Sequence, residues 1–211
     1  MKSINLAFIG GTGFYDIQNL KSVDQISVET PFGNPSGLIS LVEVGDQVVA
    51  FLPRHGTGHN LSPSNLPTRA NIYALKTLGV ERLISINAVG SLSEDINPEE
   101  AVIPDQLIDR TYLRPNTFFD KSMVAYVSFA KPFCNELSKY LIETSELYMQ
   151  VHQGGTMVVI EGPAFSTSAE SRLYQKWGGH IIGMTALPEA KLAREAEICY
   201  ASLSLVTDND S

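Results

Sequence analysis

A strand-length apolar run at residues 4–9 breaks off on Gly10-Gly11-Thr12-Gly13, and the same construction returns along the chain. Residues 82–89 lead into Asn87-Ala88-Val89-Gly90-Ser91-Leu92, residues 157–160 into Glu161-Gly162-Pro163, residues 180–184 into Met184-Thr185, and residues 198–207 into Thr207-Asp208-Asn209-Asp210. Short apolar runs bounded by turn formers read as strands buried on both faces. Between them lie stretches of helical spacing. After Pro67, residues Ala70, Ile72, Tyr73, Ala74, Leu75 and Leu78 fall on helical positions ahead of Gly79, and residues 133–148 carry Phe133, Leu137, Leu141, Thr144 and Tyr148 in the same way. Thr167-Ser168-Ala169-Glu170 has the spacing of a capping box ahead of a helix to Trp177, and Pro188-Glu189 favours a helix through about residue 197. Strands alternating with helices predict an α/β fold with a mostly parallel central sheet flanked by helices. The runs 38–44 and 47–52 around Gly45-Asp46 read as a hairpin, so that sheet should be mixed.

At 211 residues and 44% hydrophobic side chains, the chain suits one domain over 1–211, with no composition shift to mark a boundary. A net charge of −8 with no basic patch disfavours nucleic acid and anionic membrane surfaces as partners. No run approaches the ~18 apolar residues that cross a bilayer. The start, Met1-Lys2-Ser3-Ile4-Asn5, lacks a secretory pattern, so the expectation is a cytoplasmic protein. Cys134 and Cys199 lie far apart in apolar surroundings without metal-ligand spacing, and reduced, buried thiols are expected.

In sheets of this type ligands bind beyond the carboxyl ends of the strands. The glycines of residues 10–13 allow backbone N–H groups to approach an oxyanion, with the Thr12 hydroxyl as a further donor. There is neither the Lys-Ser/Thr of an ATP-binding loop nor the third glycine of a dinucleotide fingerprint. In Pro53-Arg54-His55-Gly56-Thr57-Gly58-His59 a guanidinium and an imidazole can hold phosphate oxygens, whereas glycines between the histidines argue against a metal. The Asn87 amide can donate to an oxyanion, Phe165 can stack on a flat heterocycle, and Asp208 and Asp210 at i, i+2 can present acceptors along one edge of a base. Taken singly, these loops also admit plain structural roles: a glycine turn, a surface arginine with a structural histidine, a core aromatic or a solvated acidic stretch.

Taken in order, these motifs, with Arg69-Ala70-Asn71, the run at residues 104–109 and Pro188-Glu189-Ala190, resemble the trimeric purine nucleoside phosphorylases, and among them the branch that cleaves methylthioadenosine. The resemblance spans nearly the whole chain. It implies a phosphorylase/hydrolase-like fold and a pentosyltransferase reaction, in which inorganic phosphate attacks the anomeric carbon of 5′-methylthioadenosine and adenine leaves. It implies phosphate as co-substrate, no metal or organic cofactor, a homotrimer, and a role in purine and methionine salvage. Thr12, Arg54, His55, Asn87 and Thr185 would surround phosphate, with Asn87 standing where the family usually has Thr or Ser. Ala88 would contact the substrate, Met184 would lie beside the ribose, Phe165 against the purine, and Asp208 and Asp210 along its N7 and 6-amino edge. Tyr126 would stand near the 5′ substituent, where a histidine is common. The resemblance further implies that a C-terminal helical segment of the family is lacking after Ser211.

Breaking the glycosidic bond leaves negative charge on the base and positive charge on the sugar, which an acid at N7 and an oriented phosphate would stabilise. Asp208 is expected to be that acid, made protonatable by burial and by neighbouring Asp210. Aspartate at this place suits a 6-amino group, whereas a 6-oxo base would prefer an asparagine amide. The alternatives are a 6-oxopurine nucleoside or methylthioinosine phosphorylase and, from another class, a nucleoside-binding protein without turnover.

Overall fold

Along β1 (Leu6–Gly10), Ala7 and Ile9 are completely enclosed, as expected of a strand in the middle of a covered sheet. The computed structural model describes residues 4–11, 22–121 and 123–210, and its strands form one sheet. The order runs β2 (Ser22–Ile26), β3 (Ile39–Val44), β4 (Gln47–Pro53), β1, β5 (Arg82–Ser91), β10 (Ile181–Gly183), β9 (Thr156–Ile160), β7 (Gln106–Arg110). On its other edge β5 pairs in parallel with the long β11 (Cys199–Asn209), which also carries β6 (Ala101–Ile103), and β6 pairs with β8 (Val151–Gln153). Pairing is parallel through β4, β1, β5 and β11 and between β10, β9 and β7. It is antiparallel in the β2–β3–β4 hairpin region, where β10 meets β5 and where β6 meets β11. The expected mixed, mostly parallel sheet is therefore present.

α1 (Thr68–Thr77) and α4 (Ala186–Glu195) pack together over one face, and Ile72, Leu75, Leu187 and Leu192 meet Ile9, Ile39, Leu83 and Tyr200 in the main core. α2 (Asn135–Ser145) covers β11 and β6 on the other face. α3 (Ser168–Lys176) opens on the expected capping box: the Glu170 N–H donates to Thr167 Oγ1 at 3.3 Å and the Thr167 N–H to Glu170 Oε2 at 2.8 Å. Among the described residues no helix is long and apolar enough to cross a membrane.

Three expectations change. The helix expected over 133–148 is shorter: Phe133 precedes it, stacked 5.9 Å from Tyr200, while Tyr148 follows it, exposed. The helix expected at Pro188 starts at Ala186, with Leu187 extended inside it, and ends at Glu195. Most importantly, Cys134 and Cys199 are not free thiols but a disulfide across 65 residues of chain, with Cα atoms 5.3 Å apart. The Cys134 N–H donates to the Tyr200 carbonyl at 2.8 Å, which docks the start of α2 against the start of β11 and brings the sulfurs together. The thiols consequently give no support to a reducing compartment.

Candidate active site

The carboxyl ends of β1, β4, β5, β10 and β11 open into one cavity of ≈ 400 Å³. Arg54, His55, Asn87 and Thr185 line it together with Ala88, Phe165, Met184, Asp208 and Asp210. That volume suits a small organic ligand. Thr12 lies outside the described residues. Tyr126 does not reach the cavity: it is 95% exposed, on a segment that also leaves Met123 and Val124 in solvent. Within a single chain Tyr126 is therefore not beside the cavity as expected, because its side chain stands in solvent.

Arg54 directly follows β4, and its N–H donates to the Gly10 carbonyl at 2.9 Å, tying that loop to the end of β1. Its side chain is buried, and its fork is occupied from within: Nε donates to Glu189 Oε1 at 2.6 Å, Nη2 to Ser85 Oγ at 2.6 Å, and Nη1 to the Ile86 carbonyl at 2.8 Å. Glu189, on the first turn of α4, also accepts from Ser85 Oγ at 2.9 Å and Tyr200 Oη at 3.1 Å. The bidentate partner of Arg54 is thus a protein carboxylate, and the guanidinium reaches the cavity wall already charge-paired. His55 places Nδ1 2.8 Å from the Leu61 carbonyl and stacks on His59 at 4.2 Å. Burial, followed by the charges of Arg54 and His59, lowers the His55 pKa against the opposing pull of Leu61, favouring the neutral ring.

Asn87 is held differently from the sequence expectation. Its amide donates to Ser202 Oγ at 2.7 Å and to Ser85 Oγ at 3.2 Å, while its carbonyl oxygen accepts from Thr185 Oγ1 at 2.7 Å. It therefore orients the Thr185 hydroxyl from below. Sequence reasoning missed Glu189, Ser85, Ser202 and Ser204 as the buried polar floor of this end. The available signal was polar residues interrupting otherwise apolar strand runs, each of which needs a partner once enclosed.

The carboxylate end is built on a β-bulge. β11 stays in register with β5 to Val206 opposite Val89, then slips so that Asp208 stands opposite Gly90. A side chain on Gly90 would bring Cβ within 3.1 Å of both Asp208 Oδ1 and Asp210 Cβ, so the absence of one makes room for both acids. Asp208 Oδ2 accepts from Thr207 Oγ1 at 2.8 Å, and Asp210 Oδ2 accepts from Ser166 Oγ at 2.9 Å and Ser171 Oγ at 2.6 Å. Ser171, fully buried in α3, was not foreseen. Asp208 is exposed, so the described residues do not supply the burial expected for it. Phe165 is likewise exposed at the rim. Gly162, at φ +67°, leaves space that the Met184 sulfur fills, 2.6 Å from where a Cβ would stand. Gly90→Ala is expected to displace the two carboxylates and lower kcat/KM by about tenfold or more with the fold kept; unchanged kinetics in the folded variant would remove them from the site.

This sheet, with Arg54, His55 and Thr185 at one end of a strand-end cavity and two carboxylates at the other, defines a class: the chain belongs to the phosphorylase superfamily, whose family model matches residues 5–211. Among relatives, it is 55% identical to an S-methyl-5′-thioadenosine phosphorylase of Chloroflexus aurantiacus, over 100% of this chain and 74% of that one. It is 53% identical to the protein of the same name from Gloeobacter violaceus, over 97% of this chain and 70% of the other. A crystal structure of methylthioadenosine phosphorylase from an antarctic soil metagenomic library superposes with a TM-score of 0.96 at 51% identity, covering 100% of this chain and 75% of that one. A methylthioadenosine phosphorylase from Schistosoma mansoni in complex with adenine gives a TM-score of 0.93 at 38% identity, covering 97% and 78%.

Proposed function

We propose that the chain catalyses phosphorolysis of 5′-methylthioadenosine to adenine and 5-methylthioribose 1-phosphate. One observation carries this reading: Arg54, His55 and Thr185 share a cavity with Asp208 and Asp210. Thr185 hydrogen-bonds Asn87 and the acids sit against Gly90, three residues further along β5, a span of about 10 Å at strand rise. That span leaves room for a ribosyl ring between a phosphate and a purine. Phosphate bound at the first end faces the anomeric carbon, and Asp208 supplies a proton or hydrogen bond to N7 as the base leaves. Asp210, fixed by Ser166 and Ser171, offers a second acceptor on the base edge. Phosphate is the co-substrate in this scheme, and neither metal nor organic cofactor takes part.

The proposal extends to a homotrimer, on family resemblance, with Met123, Val124 and Tyr126 as apolar surface available for contact between copies. The proposal also includes a cytoplasmic setting and a part in purine and methionine salvage, again on family resemblance. The test is adenine release from methylthioadenosine with and without phosphate, alongside inosine and methylthioinosine. Phosphate-dependent release, fastest with methylthioadenosine, is expected. Faster cleavage of either 6-oxo nucleoside would reassign the base, and ligand protection without product would make the chain a nucleoside-binding protein.

A further inference from the structure

Arg114 lies outside the cavity wall, beyond the end of β7, and its side chain is only 4% exposed. Its Nε donates to Glu161 Oε1 at 3.1 Å. Nη1 donates to the carbonyls of Met184 at 2.5 Å and Leu187 at 2.7 Å, and Nη2 to those of Glu161 and, at 3.3 Å, Ile160. Glu161 Oε2 in return accepts the N–H groups of Tyr112 at 2.8 Å and Leu113 at 3.3 Å. Burial alone would raise the Glu161 carboxyl, but these N–H groups and Arg114 outweigh it and keep the pKa below its ordinary value. The base of this turn is anchored too: Asp109 accepts the Thr111 N–H at 2.8 Å and Lys191 Nζ at 2.6 Å.

One planar guanidinium therefore clamps the loop after β9, the loop after β10 and the start of α4 at the wall of the cavity. The loop after β9 leads through Gly162 to Phe165, and the loop after β10 holds Met184. Arg54 and His55 are held by other atoms, on β1, β5, Leu61 and the Glu189 side chain of α4, a helix that Arg114 meets at the Leu187 carbonyl. Five donors in a rigid fork suit carbonyls from separate loops, which a single ammonium cannot reproduce.

We propose that Arg114 is a positioning residue for the nucleoside half of the site: by joining Glu161 to Met184 it sets the width of the slot for ribose and base without touching either. This rests on the phosphorolysis reading above. Arg114→Gln and Arg114→Lys are to be compared with the unchanged chain and with Arg82→Gln, a surface control. Expected is a rise in the KM for methylthioadenosine of about tenfold or more, smaller in the lysine variant, with the KM for phosphate changed by less than about threefold. Equal changes in both constants, or none, in a folded variant would overturn the proposal. So would failure of both variants to fold, because Arg114 would then serve the fold alone. If the unchanged chain releases no adenine, the phosphorolysis reading fails by itself. Titrating adenine and phosphate separately into the unchanged chain and Arg114→Lys then reads the positioning directly. Weaker adenine binding with phosphate binding kept supports it, and parallel behaviour of the two ligands sinks it.

Discussion

Asp208→Asn is expected to lower the turnover of methylthioadenosine by ~10²–10⁴-fold, the range for loss of a general acid. The effect comes from proton inventory rather than from size. An asparagine amide can donate a hydrogen bond to N7, but it cannot give up the proton that a leaving adenine anion takes. It also turns a donor towards the 6-position, where adenine already presents an amino group, while inosine presents an acceptor. Turnover of methylthioadenosine should therefore fall much further than that of inosine, and the ratio of the two should move towards the 6-oxo base. Because Asp208 is exposed and, among the described residues, accepts a local bond from Thr207, the substitution should leave urea unfolding unchanged. Full turnover by the purified variant would show that Asp208 is not the acid.

The second large effect concerns stability. Glu189→Ala is expected to cost about 3–5 kcal/mol, the range for stranding one member of a buried ion pair. Glu189 is 1% exposed and Arg54 2%, their contact is 2.6 Å, and removal of the carboxylate leaves a guanidinium in the core beside Ser85. Tyr200 would lose its acceptor as well. Burial, and then the negative charge of Glu189, hold the Tyr200 pKa well above its ordinary value, so the hydroxyl remains a donor throughout the accessible pH range. Pairing the change with Arg54→Met should restore much of the loss, since no charge is then left unpaired. Urea unfolding of the two variants decides: a single variant as stable as the unchanged chain would mean that the pair contributes nothing to the fold.

Much of the sheet was legible because most strands that reach the cavity carry glycine or proline at or near their ends. Gly10-Gly11, Gly90, Gly162-Pro163 and Gly183 punctuate apolar runs, and the cavity lies at those punctuation marks. The β3–β4 hairpin around Gly45-Asp46 was legible for the same reason. By contrast β6 and β8, three residues each, are too short to show a period, and the polar β2 and β7 carry too few apolar residues to stand out. In the site, residues whose chemistry is visible in isolation were foreseen, including Arg54, Thr185 and the two aspartates. Residues whose role depends on a partner far along the chain were not. Glu189 has the look of a helix-start acid in the sequence, but its partner Arg54 is 135 positions away, and the serines of β5 and β11 gain their roles from Arg54, Glu189 and Asn87. The cysteine pairing was hidden in the same way, since it depends on how α2 lies across β11.

The slip between Val206 and Asp208 has an evolutionary consequence. Side chains on a strand alternate faces, so the number of residues between β11's buried stretch and its tip determines which ones look into the cavity. Loss of one residue there would bring Asn209 to the place that Asp208 holds, exchanging an acid for an amide without any substitution. A lineage of such chains could thus trade one purine for another through a single-codon deletion, and the spacing of this stretch carries chemical information equal to the identity of its residues.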